Sequence, residues 1–314
     1  MHGRVGAWLL RGLIVLTLAA AVALWVLVRP LPEPPLPTLT PTLTPTPMLT
    51  STPTLTPTPT PTPTLTPTPT LTPTPTCTET TGRVEQHTYF SQTTGDEQPY
   101  RIYLPPCYDW TDRHYPVLYL LHGWPYDEAH WDSLGADEAA DAGIGAGTLP
   151  PLIIVMPGGS ERLYVNTCGG DGSFEGQVIN DLIPHVDETY HTWAEREGRA
   201  IGGVSRGGVW ALEIGFRHPD LFAALGAHSP ALSVNLAPPT YDPFYLLKEP
   251  GVAALRIYLD AGDADWARGG TQALHEALDE RNIAHEFVVH SGSHENGLWA
   301  ANVAEYLAFY AAGW

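Results

Sequence analysis

The sequence is poor in basic residues, and in lysine above all. Lys and Arg together number 15, against 34 Asp and Glu, and Lys248 is the single lysine. Only Glu33 and Glu79 of the acidic residues precede Gly82, so the acidic excess lies in the later part of the chain. Such a surface repels nucleic acid and anionic lipid, so we expect no nucleic acid partner. A phosphate loop is excluded as well, because no Gly-Lys-Ser/Thr sequence occurs.

Cysteine is scarce too, with three residues in 314. This number excludes a small scaffold held together by many disulfides, and it fits an oxidising compartment with at most one internal disulfide. Cys107 and Cys168 both lie after Gly82, whereas Cys77 precedes it. We therefore predict a disulfide between Cys107 and Cys168, with three free thiols as the alternative.

Charge is missing altogether from Gly12 to Val28, which is mostly apolar and is flanked by Arg11 and Arg29. This pattern predicts a membrane anchor over residues 1–29, with its basic end in the cytoplasm and the rest of the chain at the cell surface. The alternative is a cleaved signal peptide ending at Ala21-Val22-Ala23, which would give a secreted protein. The apolar run continues past that point and favours the anchor.

Residues 30–81 consist almost wholly of Thr, Pro and Leu and offer little to bury. We predict a disordered linker of extended, polyproline-like character here. Residues 82–314 are enough for one domain with a sizeable core.

Within that domain, apolar runs alternate with stretches of helical periodicity. An alternating hairpin comes first, followed by buried runs such as PVLYLLHG, PLIIVMPGG and RAIGGVS. Helical patterns such as GVWALEIGF and TQALHEALDE lie between the later runs. This order predicts an α/β fold with a mostly parallel central sheet and helices on both faces.

Ser205 lies in GVSRG, which fits the G-x-S-x-G pattern of a nucleophile elbow. The pattern is weak alone, but here it joins the predicted strand RAIGGV to the helix GGVWALEIGF. A tight turn between the two would force the serine into an unfavourable backbone conformation and present its hydroxyl at the sheet edge where ligands bind. We therefore predict that Ser205 is a nucleophile.

A serine hydroxyl needs a base, and the base is expected after the last strand. His285 and His290 flank or lie within that strand, whereas His294 lies in the loop before the final helix, so we predict His294. The acid is expected after the preceding strand, where Asp260, Asp263 and Asp265 are candidates. The order Ser, Asp, His along the chain is that of α/β-hydrolases. No third ligand joins His290 and His294, so we predict no metal and no organic cofactor.

From about Tyr100 to Trp314, the chain resembles the putative-esterase family of the α/β-hydrolases, which includes feruloyl esterases, enterochelin-esterase-like enzymes, S-formylglutathione hydrolase and the antigen 85 mycolyltransferases. The matching segments are YPVLYLLHGW, IGGVSRGGVWAL, LDAGDAD and GSHENGLW. The resemblance implies an α/β-hydrolase fold and places the acid at Asp265, with Asp263 second. It also supports His294, and it implies an oxyanion hole made by the backbone N–H groups of Trp124 and Arg206, with His122 in a structural role.

The resemblance implies a serine carboxylic-ester hydrolase that acts through an acyl-enzyme on a small-molecule or saccharide ester. The N-terminal segment predicts that this enzyme is exported. Acyl transfer of the mycolyltransferase type and a catalytically silent surface-binding module are the alternatives. Trp299, Trp266 and Tyr126 lie near the expected site and are candidates for substrate binding, although packing roles are equally open to them. Residues 232–250 interrupt the α/β alternation and are predicted to cap the site. The oligomeric state is not predicted.

Overall fold

The computed structural model of the chain describes residues 77–165 and 168–314. The predicted membrane anchor at residues 1–29 and most of the predicted linker at residues 30–81 lie outside the described residues. Within the part of the chain that is described, no helix is both long enough and apolar enough to span a bilayer.

One eight-stranded sheet organises the domain, with the strand order β1-β2-β4-β3-β5-β6-β7-β8. The strands are β1 (Arg83–Ser91), β2 (Asp96–Leu104), β3 (Val117–Leu121), β4 (Ile153–Pro157), β5 (Arg199–Val204), β6 (Ala224–His228), β7 (Arg256–Gly262) and β8 (Glu286–His290). β2 pairs antiparallel with both β1 and β4, whereas every other neighbouring pair is parallel. This confirms the predicted hairpin and the mostly parallel sheet.

Helices cover both faces of the sheet. They are α1 (His130–Ser133), α2 (Ala136–Ala146), α3 (Glu161–Tyr164), α4 (Phe174–Gly176), α5 (Ile183–Thr189), α6 (Arg206–Arg217), α7 (Pro243–Leu246), α8 (Arg268–Glu280) and α9 (Asn296–Ala311). A π-helical segment, Gln177–Leu182, joins α4 to α5. This wide turn comes just before Pro184, which has no N–H to donate and disfavours a regular helix at that point.

Two apolar clusters fill the space between the sheet and these helices. One includes Trp210 of α6 and Leu274 of α8, and the other includes Trp131 of α1 and Tyr310 of α9. The central strands β3, β4, β5 and β6 are buried at every position, because helices cover them on both sides. Such strands read as continuous apolar runs, as they do in this sequence.

The predicted disulfide is wrong, because Cys107 bonds to Cys77 and not to Cys168. The hairpin explains this pairing. β1 and β2 are antiparallel and Arg83 lies opposite Leu104, so the chain before β1 and the chain after β2 meet at the same end of the hairpin. The two Cα atoms are 5.8 Å apart there. Cys168 is exposed and belongs to the segment between α3 and α4.

The predicted cap at residues 232–250 takes the form of two short helical pieces. A 3-10 turn spans Leu232–Val234, and α7 packs against α6 with Leu246 buried in the core. The first part of the segment borders the space in front of Ser205, where Val234 and Leu236 are exposed, and the rest lies over α6 with Tyr245 exposed.

Candidate active site

Ser205 lies between β5 and α6 with φ 55° and ψ −114°, a conformation that L-residues rarely adopt. Two glycines make the turn possible. A Cβ atom on Gly203 would lie 2.4 Å from the backbone of Gly207, and one on Gly207 would lie 2.3 Å from the Leu121 carbonyl oxygen. The Ser205 N–H donates to the His228 carbonyl at 2.8 Å, which fixes the turn to β6. The sequence therefore folds into the strained turn that the G-x-S-x-G pattern predicts.

The structure brings Ser205, His294 and Asp265 together. His294 Nε2 lies 2.8 Å from Ser205 Oγ, and His294 Nδ1 lies 2.8 Å from Asp265 Oδ1. An ionised carboxylate can only accept, so Nδ1 carries the hydrogen and Nε2 is left to accept the hydrogen of the Ser205 hydroxyl. This is the protonation pattern that a general base needs before it takes a proton from serine.

Asp265 is held in place by more than His294. The Ala267 N–H donates to the same Oδ1 at 2.7 Å, and the side chain is almost fully buried. Burial by itself raises the pKa of Asp265, but the hydrogen bond to His294, the nearby Ser229 hydroxyl and the Ala267 N–H outweigh it and lower the pKa below its ordinary value. The carboxylate is thus kept ionised beside the imidazole.

The other acidic candidates have different partners. Asp263 is exposed and accepts from the Gly292 N–H at 3.0 Å. Asp260 is fully buried in β7, where it lies 3.0 Å from His228 Nδ1 and accepts from the Tyr306 hydroxyl at 2.7 Å. His290 and His285 also point elsewhere, toward Tyr258 and His275 respectively. Among these candidates, only Asp265 and His294 line up with Ser205.

Two tryptophans pack on the His294 ring. Trp266 lies with its ring centre 4.2 Å away and is half exposed, so it is open to a ligand. Trp299 meets the ring edge-on at 5.1 Å, is only 3% exposed, and donates its indole N–H to Ser229 Oγ. Trp299 therefore holds His294 in position, and its predicted contact with substrate stays a prediction.

The predicted oxyanion donors lie on either side of Ser205. Arg206 is the first residue of α6, with its N–H at the helix N-terminus. Its guanidinium turns away and donates from Nε to the Tyr164 carbonyl at 3.0 Å. Trp124 follows β3 and borders the space in front of Ser205. Within residues 77–165 and 168–314, no acceptor forms a hydrogen bond with the Trp124 N–H, so this group is available for a ligand.

The loop that carries Trp124 is anchored by two histidines. His122 is buried and donates from Nδ1 to the Gly123 carbonyl at 2.9 Å, and burial lowers its pKa to about 4. The Tyr164 ring stacks on it, and the Tyr164 hydroxyl donates to the His122 carbonyl. His122 is therefore neutral and orders the loop, in agreement with its expected structural role.

His130 is the second anchor, and the sequence analysis missed it. The Gly123 N–H donates to its Nδ1 at 3.1 Å, so its Nε2 carries the hydrogen and donates to Asn296 Oδ1 at 3.0 Å. Burial lowers the pKa of His130, which keeps it in this neutral form. The residue thus ties the Trp124 loop to the start of α9, just after His294. Its position seven residues after Gly123 gives no signal in the sequence.

Two cavities meet at Ser205, Trp124 and His294. One has a volume of about 500 Å³ and a largely apolar wall that includes Val165, Val234, Leu236 and Trp266. The other has a volume of about 420 Å³ and a more polar wall, with Tyr126, Glu295 and Asn296. Tyr126 is half exposed there and stacks on His130 at 3.9 Å. An ester bound across Ser205 could place its two halves in these two cavities.

A family model described as "Putative esterase" matches residues 91–310. The chain belongs to this esterase family. An endo-1,4-beta-xylanase/feruloyl esterase of Xylanibacter ruminicola is 32% identical over 229 residues, which are 69% of this chain and 30% of the relative. Esterase Rv1288 of Mycobacterium tuberculosis is 36% identical over 140 residues, covering 43% of this chain and 29% of the relative. The chain thus spans about a third of the length of these relatives.

Solved structures agree on the fold. A ferulic acid esterase superposes with a TM-score of 0.68 at 24% identity, over 74% of this chain and 98% of that one. A feruloyl esterase module from Clostridium thermocellum, complexed with sinapinate, gives a TM-score of 0.61 at 22% identity, over 74% and 88% of the two chains. These likenesses confirm the predicted α/β-hydrolase fold for the esterase domain.

Proposed function

We propose that residues 82–314 form a serine carboxylic-ester hydrolase with Ser205, His294 and Asp265 as its catalytic triad. The observation that carries this proposal is the pair of 2.8 Å contacts that link a serine in a strained turn to a histidine and a buried carboxylate. Family membership and the esterase names of the relatives support the same reaction.

In the first half of the reaction, Ser205 Oγ attacks the ester carbonyl carbon while His294 Nε2 takes the hydroxyl proton. The carbonyl oxygen becomes an oxyanion, and the N–H groups of Trp124 and Arg206 stabilise it. One such donor is worth about 3–4 kcal/mol of barrier in other serine hydrolases. His294 then gives its proton to the leaving alcohol, which leaves an acyl group on Ser205.

In the second half, water enters where the alcohol left. His294 takes a proton from the water, the hydroxide attacks the acyl carbonyl, and Ser205 Oγ leaves with the proton that His294 returns. Asp265 stays ionised throughout and stabilises the imidazolium form of His294. No metal or organic cofactor enters these steps.

For the substrate, we propose an ester of an aromatic acid with a sugar or polysaccharide. The larger cavity offers an apolar wall with Trp266 on one side, which suits an aromatic acyl group. The polar cavity beside Glu295 and Asn296 suits a hydroxyl-rich alcohol. Relatives and structural neighbours named as feruloyl esterases support the same class.

Ser205→Ala tests the reaction directly. We expect kcat on p-nitrophenyl acetate and on methyl ferulate to fall on the order of 10⁶-fold, with an unchanged unfolding curve. Ser233→Ala, an exposed serine near the same cavity, is the matched control and should keep full activity. Substantial activity in Ser205→Ala would rule out this nucleophile. A wild type inert on every ester, with or without acceptor sugars, would favour the binding module, and activity only with acceptors would favour acyl transfer.

We also propose that the enzyme is exported and tethered to the membrane by residues 1–29. The uncharged run from Gly12 to Val28 motivates the tether. The Cys77–Cys107 bond supports export, because disulfides persist mainly in oxidising compartments. Secretion after cleavage is the competing outcome, and the mature N-terminus distinguishes the two.

A further inference from the structure

A cluster of potential metal ligands lies at the far edge of the sheet, away from Ser205. His275 and Asp279 are one turn apart on α8, at the i and i+4 positions of one helix face. His285 precedes β8, the edge strand that runs back along that helix. Each of the three residues has a donor atom within 4.8 Å of the donor atoms of the other two.

We propose that His275, Asp279 and His285 form a binding site for one divalent transition metal ion, with Zn²⁺ the ion that suits them best. Two imidazoles and one carboxylate are a donor set that zinc accepts at about 2.0–2.2 Å per bond. Donor atoms around such an ion lie roughly 3.3 Å apart in a tetrahedron. His285 Nε2 lies 2.7 Å from His275 Nδ1 and 4.0 Å from Asp279 Oδ1. To hold an ion, the two imidazole nitrogens must therefore separate by about 0.6 Å and the carboxylate oxygen must approach His285 by about 0.7 Å.

His285 is already prepared as a ligand. Its Nδ1 lies 2.8 Å from the Ile283 carbonyl oxygen, which can only accept, so Nδ1 carries the hydrogen. The lone pair is therefore on Nε2, which faces His275 and Asp279. Metal-ligating histidines commonly donate their other ring N–H to a carbonyl in this way, which fixes the tautomer. The side chain is 3% exposed, so its orientation is also held by packing.

His275 lies between the other two ligands, with one ring nitrogen toward each. Its Nδ1 lies 2.7 Å from His285 Nε2 and must donate its hydrogen there, because His285 Nε2 has none to give. In neutral His275 the other nitrogen, Nε2, then turns a lone pair toward the Asp279 carboxylate at 3.7 Å. An ion bound to His275 Nδ1 and His285 Nε2 would replace the hydrogen between them, and His275 Nε2 would then carry the hydrogen and face Asp279 Oδ2.

Two neighbouring features suit a metal site. Phe287 stacks on His275 with ring centres 4.6 Å apart and restrains that ring. Asp279 is 64% exposed, which leaves one side of the site open for a water ligand to complete the coordination. The bound ion would join the last turns of α8 to the chain entering β8, and so would stabilise an edge strand whose far end leads to His294.

The sequence alone predicted no metal. That prediction considered His290 and His294, whose spacing suggested a pair without a third ligand. The turn from Arg281 to Ala284 separates His275 and Asp279 from His285 along the chain. The fold brings them together by folding β8 back beside α8.

Zinc titration of the metal-free full chain by calorimetry tests the proposal. We expect one Zn²⁺ per chain and a rise in the unfolding temperature. His275→Gln and Asp279→Asn should each weaken binding by about tenfold or more. Glu276→Gln is the matched control, since Glu276 is exposed on the same helix and lies outside the cluster. Co²⁺ should give visible absorption bands that either ligand variant removes and the control keeps.

Activity locates the ion independently. One equivalent of Zn²⁺ should leave ester hydrolysis unchanged if the ion binds at α8, whereas binding at His294 would inhibit it. The absence of stoichiometric zinc binding would overturn the proposal. So would a Kd that is the same in His275→Gln, Asp279→Asn and the wild type, because the ion would then lie elsewhere.

Discussion

Asp265→Asn removes the negative charge beside His294 and keeps the size of the side chain. Asp265 Oδ1 accepts from both His294 Nδ1 and the Ala267 N–H, so an asparagine oxygen in that place can keep both hydrogen bonds. The change then removes the charge alone. If the amide instead turns its NH₂ group toward His294, it forces the hydrogen onto Nε2, and His294 can no longer accept from Ser205.

The size of the effect follows from the contact distance. Unit charges about 4 Å apart interact by about 4 kcal/mol at an effective dielectric constant near 20. His294 is charged in the transition state and neutral before it, so this energy lowers the barrier and is worth about 10³ in rate. The wrong tautomer would raise the total loss to about 10⁴. We therefore expect kcat to fall by about 10³–10⁴, with little change in KM.

Asp263→Asn is the matched control, because it makes the same substitution two residues away. Asp263 is exposed and bonds to the Gly292 N–H rather than to His294. We expect kcat on p-nitrophenyl acetate to change by less than about tenfold, since one exposed hydrogen bond contributes about 0.5–1.5 kcal/mol. Steady-state measurements of kcat and KM for both variants and the wild type show which aspartate is the catalytic acid. A larger loss in Asp263→Asn than in Asp265→Asn would refute the assignment of the acid.

Three further predictions concern other parts of the chain. His130→Ala should lower kcat by about 10–100-fold at unchanged KM, because it frees the Trp124 loop; a wild-type kcat would contradict this. Burial and the Glu175 charge raise the pKa of Glu213 to about 9, above its ordinary value of 4.5. The stability that this shift contributes is complete below about pH 4.5 and is lost as the pH rises toward 9. The free energy of unfolding of Glu213→Gln should therefore rise relative to that of the wild type as the pH increases, by up to about 1.4 kcal/mol per pH unit. Urea unfolding of both proteins at pH 6 and pH 8 measures this difference. Mass spectrometry of the mature chain should find Gly12 to Val28 retained, and a chain that begins at Leu24 would show a cleaved signal peptide.

Much of the fold could be predicted because its signals are local. Buried strands such as Val117–Leu121 and Arg199–Val204 are continuous apolar runs, and the helices between them repeat with helical period. The order of strand, Gly-rich turn and helix identified Ser205 for the same reason. The carboxyl ends of parallel strands lie at the same edge of a sheet. The loops after β7 and β8 could therefore be expected to lie near Ser205, which follows β5.

Other features depend on contacts between distant residues and leave no local trace. Asp260, Asp263 and Asp265 could not be separated by periodicity, and the family resemblance was needed to favour Asp265. His130 acts through Asn296, 166 residues later, and only the folded chain shows the pair. The disulfide was predicted wrongly because Cys77 was assigned to the linker. In the structure, the antiparallel pairing of β1 and β2 brings the chain before β1 close to Cys107.

The Cys77–Cys107 bond also decides how the domain would bear a mechanical load. If residues 1–29 are fixed in a membrane, any drag on the enzyme pulls on the chain that enters at Cys77. The covalent bond passes that tension directly to Cys107, so residues 78–106, with the whole β1–β2 hairpin, lie in a slack loop. Without the bond, the same force would peel β1 from the sheet edge one hydrogen bond at a time. If the chain is tethered in this way, the disulfide makes Cys107 the point that carries the load and protects the hairpin from being peeled off the sheet.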